Sequence, residues 1–140
     1  MSRAIVAGLV AAASLTACSS LSPYPFQPGE PSAVVNLSDV PSPFFCVGGT
    51  NYKFVPDKQQ RARVPVGKRI AVNSFVYIGG YQSYWTCTAG MSFVPDAGHQ
   101  YLVNLEMRDQ ACRLEVYREG ADNRVGLDLE PSFDRPYCPR

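Results

Sequence analysis

From Ser32 to the C-terminus, apolar and polar residues alternate with a period of two, the signature of strands with one buried face. "SAVVNL" reads as a short strand, "PSPFFCVGG" as an aromatic edge segment between Pro and Gly breaks, and "TNYKFV" as a further short strand. "VPVGKRIAVNSFVYIGG" turns at Pro65 to Gly67 and then runs from Arg69 to Ile78. In "SYWTCTAGMSFVP" the pattern puts Trp85, Cys87, Ala89, Met91 and Phe93 on one face, and Thr86, Thr88 and Ser92 on the other. The same phase turns Tyr101, Val103, Leu105 and Met107 inward and Asn104 and Glu106 outward. Cys112, Leu114 and Val116 then share a face opposite Arg113 and Glu115. Breaks at "PDAGH", "RDQ" and "EGADN" suit hairpins. Residues 1–17 and the Pro-rich stretch up to Ser32 lack this alternation, and no window outside residues 1–17 holds an apolar stripe of helical period. About seven or eight strands at this spacing predict an all-β, two-sheet sandwich over residues 33–140.

The first seventeen residues follow a different rule. Ala4 to Ala13 is an unbroken apolar run with Arg3 as its one flanking charge. Spanning a bilayer takes about 20 such residues, so the run is too short to cross and has instead the length of a signal-peptide core. It has no polar face and lies at the extreme N-terminus, which argues against a buried core helix. The small residues after it lead directly into a cysteine: Leu15, Thr16, Ala17, Cys18. This resembles the lipobox of bacterial lipoproteins. The resemblance implies a signal peptide over residues 1–17, cleavage after Ala17, and a diacylglycerol thioether on Cys18 with further acylation, a palmitate-type anchor that holds stably once two chains are present. Ser19, where Asp would be the inner-membrane retention signal, implies sorting to the outer membrane, facing the periplasm.

Removing residues 1–17 takes away Arg3 alone, so thirteen basic residues become twelve against twelve acidic ones. A surface without net charge has no long-range pull toward nucleic acid. The stretch "SSLSPYPFQPGEPS" carries four prolines among Ser and Gly and favours an extended conformation. Residues 18–32 are therefore expected to be a lipidated cysteine and a tether, reaching roughly 40 Å if fully extended.

Residues 60 to 118, with "VPVGKRIAV", "FVPDAGHQYLVNL" and "CRLEVY", are similar to the prealbumin-like domains of small envelope lipoproteins, PEGA-like repeats included. The resemblance implies a prealbumin-like sandwich and carries no activity, since such sandwiches host unrelated functions.

With Cys18 assigned to lipid, four cysteines remain, and these allow three pairings. An oxidising periplasm favours disulfides. Cys87 and Cys112 both fall on inward faces, on strands expected to flank the strand before residue 108 in one local unit. They are expected to bond to each other, leaving Cys46 to tie the first edge segment to Cys138 in the tail. A zinc site is disfavoured by the lack of any C-x-x-C pair and of a second histidine. No cofactor is implied.

His99, the sole histidine, sits at a Gly98 turn, a position that suits an exposed polar residue. No G-x-S-x-G elbow accompanies it. Asp128 and Glu130 share a strand face, as a glycosidase pair might. Two exposed carboxylates on an edge strand account for them more simply. Tyr77, Tyr81, Tyr84 and Trp85 crowd around Gly79 and Gly80. Trp85 lies on the inward phase and is expected to pack on the disulfide, while the tyrosines are a candidate contact surface for a protein or a sugar. The expectation is a non-enzymatic interaction or scaffolding module with a periplasmic or envelope protein partner, a layout shared with transthyretin-like accessory lipoproteins of secretion machines. The alternative is an inhibitor or ligand-binding lipoprotein, resembling those that block lysozyme or bind glycans, although the Ser-Gly loop motif of lysozyme inhibitors is missing here.

Overall fold

The computed structural model describes residues 20–120 and 126–140, and Cys18 with the rest of the lipobox lies outside them. The strands are β1 (Ser32–Asn36), β2 (Pro43–Val47), β3 (Thr50–Lys53), β4 (Arg61–Pro65), β5 (Ile70–Gly79), β6 (Tyr84–Phe93), β7 (Gln100–Arg108), β8 (Ala111–Arg118) and β9 (Asp128–Leu129). They form two sheets, one in the order β4-β1-β7-β8-β9 and the other β3-β2-β5-β6. The fold is an all-β, two-sheet sandwich stapled by two disulfides.

The alternation read from the sequence becomes the core. Phe45, Val72, Met91 and Phe93 from the four-stranded sheet meet Val35, Val64, Tyr101, Val103, Leu114 and Val116 from the five-stranded one. Burying a Val- to Phe-sized side chain contributes about 1.5–3 kcal/mol, which is why the inward phase rules the register. Met107 departs from the expectation. It is 52% exposed, because β7 runs past the packed interior at its last turn of the pleat. The β7–β8 loop holds Asp109 and Gln110 at φ 50° and 65°, the left-handed geometry of a two-residue hairpin turn.

Pairing between sequence-distant strands changes two further expectations. The segment expected at an edge, β2, is interior, bonded to β3 on one side and β5 on the other. The strands carrying Cys87 and Cys112 do not flank β7 in one sheet. The chain between Phe93 and Gln100 crosses from the four-stranded sheet to the other, where β7 lies between β8 and a parallel β1. The Cys87–Cys112 bond, with Cα atoms 6.2 Å apart, therefore joins the two sheets.

Both ends of the described chain are strapped onto this frame. Ser22 accepts a hydrogen bond from the Lys53 N–H at 3.0 Å, and Pro23 bridges Lys53 in parallel. Tyr24 packs against Phe26 and Tyr52, with ring centroids 4.8 and 5.2 Å away. The reach of a free spacer thus applies only before Ser22. At the other end, Asp134 pairs with Ser92 on β6, Pro136 lies over Gly90, and Cys138 bonds to Cys46 with Cα atoms 5.8 Å apart. The tail therefore crosses the outer face of the four-stranded sheet from β6 to β2.

Candidate functional site

β2 covers β5 only over Ala71 to Ser74, so the far half of the β5–β6 hairpin projects beyond it. The tail strap crosses the near half at Gly90 and Cys46 and leaves the far half of the outer face uncovered. Period two then decides what this half presents. Phe75 and Tyr77 on β5 and Tyr84, Thr86 and Thr88 on β6 face outward, with Tyr77 63% and Tyr84 74% exposed. Tyr81, in the turn, is fully exposed. These are the three tyrosines singled out in the sequence, and the hairpin groups them at one end of the molecule.

The tyrosines of the strands are seated on each other. The Tyr77 and Tyr84 rings stack with centroids 6.1 Å apart and planes 20° from parallel. Gly79, opposite Tyr84 in the ladder, makes room for this: a Cβ there would lie 3.1 Å from Cε1 of Tyr77. An aromatic ring leaning over a strand glycine fills the gap the missing side chain leaves. Around the rings, residues 70–95 carry no charged side chain at all. Such a surface has little electrostatic selectivity and interacts through aromatic area, hydroxyls and backbone. On the opposite face Trp85 is half-buried and Ile78 exposed, next to the Cys87–Cys112 bond in β6.

The candidate acid pair is split. Asp128 is exposed, whereas Glu130 is buried, 1% exposed, a correction to the expectation of two exposed carboxylates. Glu130 accepts from Arg118 Nε at 2.5 Å, from the Ser132 hydroxyl at 2.7 Å and from the Ser132 N–H at 3.0 Å. Burial by itself pushes its carboxyl up, and these donors outweigh that, holding it below the usual carboxylate range. Arg118 is raised chiefly by its hydrogen bond to Glu130, and its other nitrogen meets Asp96 at 2.6 Å. Ser132 also accepts from the Val94 N–H at 2.9 Å, so the cluster ties the end of β6 to β8 and the tail. Nothing in the local pattern around "GLDLE" signals this, because each partner comes from elsewhere in the chain. His99 is exposed, its Nδ1 3.3 Å from the Ala97 carbonyl.

A cleft of about 360 Å³ lies between the N-terminal segment and β4, floored by Tyr24 and Phe45 and rimmed by Lys53, Arg61 and Arg63. Its arginines are engaged within the chain. Arg63 donates to Ser32 and sits 4.5 Å over the Phe26 ring, and Arg61 bonds to Gln100 and pairs with Glu119. Among the described residues, no group of three or more His, Cys, Asp or Glu could hold a metal ion, and no helix is long and apolar enough to cross a membrane. Comparison with protein-family models, with curated proteins and with solved structures finds no match.

Proposed function

We propose that this protein is a lipid-anchored lipoprotein of the outer membrane, facing the periplasm, and that it works as a non-enzymatic interaction module whose contact surface is the far half of the β5–β6 hairpin. The observation that carries the reading is the uncharged aromatic outer face there, with Tyr77 and Tyr84 pre-seated and Tyr81 at the tip. Rigid aromatic area that is already ordered loses little conformational entropy on binding, and such residues dominate protein contacts. The lipobox over Leu15 to Cys18 supports the anchor, and Ser19 the sorting. The commitment of Glu130 to Arg118 and Ser132 speaks against its use as a catalytic acid. A glycan is the alternative occupant, favoured by the near-parallel Tyr77 and Tyr84 rings beside the hydroxyls of Thr86 and Thr88.

The test places a photoreactive residue at Tyr81 of the full chain in intact cells, with a second at exposed Lys68 as control. The expected result is a discrete adduct from Tyr81 alone, in outer-membrane fractions, together with palmitate incorporation that Cys18→Ser abolishes. Equal adducts from both positions would overturn the contact surface, and palmitate in the Cys18→Ser chain would overturn the anchor.

A further inference from the structure

Among the described residues, the four-stranded sheet ends at β6, whose outer edge is covered by the tail at Ser92 and otherwise has no strand partner. β6 is ten residues long and contains no charge and no proline, lacking two of the devices that keep natural edge strands from pairing. Its outward-facing residues direct their backbone groups away from β5: Ser92 gives both its N–H and its C=O to Asp134, at 2.9 and 2.8 Å. By the period of two, Tyr84, Thr86, Thr88 and Gly90 direct theirs to the same edge. Among the described residues, only the Asp134 bridge pairs with that edge. The bridge shows that the edge takes an antiparallel partner, and Pro136, which lacks an N–H, stops the tail from extending the ladder.

We propose that this edge pairs with the same edge of a second copy, β6 against β6 in antiparallel register centred on Cys87, forming a twofold dimer. An antiparallel strand is its own partner under a twofold axis, and a strand without charge meets its copy with no like charges opposed. Centring on Cys87 sets Thr86 opposite Thr88 of the other copy, a favourable hydroxyl pair. The two aromatic faces then join into one continuous surface. The pairing needs neither the lipid nor the periplasmic partner.

Sedimentation of the detergent-solubilised full chain tests this. The wild type is expected to sediment as a dimer whose mass is unchanged by high salt, since no ion pair holds it. The double substitution Thr86→Lys with Thr88→Lys opposes like charges across the axis and is expected to give the monomer, half the mass. Thr86→Lys with Thr88→Glu opposes unlike charges and is expected to restore the dimer, a rescue that a merely unfolded variant would not show. A monomeric wild type, or a dimer that survives the double-lysine change, overturns the proposal. Failure of the Lys/Glu rescue overturns the register. In this register Tyr81 lies opposite Phe93 of the second copy, so a Tyr81 adduct of twice the chain's mass reports the dimer and an adduct of any other mass reports the periplasmic partner, and the two readings fail separately.

Discussion

At the residue scale, Glu130 shows how a buried charge is kept. A carboxylate withdrawn from water is costly unless donors surround it, and here a guanidinium, a hydroxyl and an N–H do so. Because its folded pKa lies below the unfolded one, it contributes stability that is fully present above the unfolded value of about 4.3 and is lost as pH falls through the folded value. Acid unfolding of the wild type is therefore expected to steepen below about pH 4. Glu130→Gln is expected to lower stability at pH 7 by about 2 kcal/mol, since Arg118 keeps Asp96 and is left only partly unpaired. It should also flatten the acid limb. Denaturant titrations at a series of pH values check both, and an acid limb unchanged in Glu130→Gln would remove Glu130 as its source.

At the element scale, the tail strap depends on a glycine. An ideal Cβ at Gly90 would lie 2.7 Å from Oδ1 of Asn73 and 3.1 Å from Cβ of Pro136, closer than side chains tolerate. Gly90→Ala is expected to lift the strap and cost about 1–3 kcal/mol. Hydrogen exchange should then show the Asp134 N–H losing protection while β1 and β7, in the other sheet, keep theirs. Uniform loss across both sheets would mean that the strap is part of the global unfolding unit. The strands themselves were legible: the inward phase of Trp85 to Phe93 and of Cys112 to Val116 follows from alternation alone. The Cys87–Cys112 bond agrees with that phase although its strands do not flank β7 in one sheet, while Cys46–Cys138 is the pair left over. Neighbour order was not. The interior place of β2, the parallel β1–β7 pair and the crossing of the chain before β7 arise from contacts between distant segments, which a local period cannot encode. The tyrosine cluster was visible as composition, but its exposure depends on where β2 and the tail stop, and that is a property of the assembled sheet.

At the scale of the whole molecule, the anchor and the hairpin set an orientation. If Cys18 carries the lipid, only residues 19–21 separate it from Ser22, which is already bonded to Lys53. Four peptide steps span at most about 14 Å, so the domain rides close to the bilayer rather than on a long leash. The chain reaches Lys53 running parallel to β3, which places its preceding residues toward the Gly48–Gly49 end of the sandwich. β2 is antiparallel to β5, so the β5–β6 turn lies at the opposite end. A ten-residue strand is about 33 Å long, so in a single anchored copy standing on its Gly48–Gly49 end the tyrosine tip is carried away from the membrane by roughly that distance. The antiparallel β6 dimer, whose copies point in opposite directions, must instead lie along the bilayer for both anchors to insert. The chain's single tryptophan, Trp85, is the second residue of β6 and reports on that end. In vesicles bearing the full lipidated chain, Trp85 fluorescence is expected to be insensitive to quenchers attached to the lipid and sensitive to a small quencher in water. Strong quenching from the lipid side would instead lay the aromatic hairpin on the bilayer, and would make the membrane, not a periplasmic partner, what Tyr77, Tyr81 and Tyr84 meet.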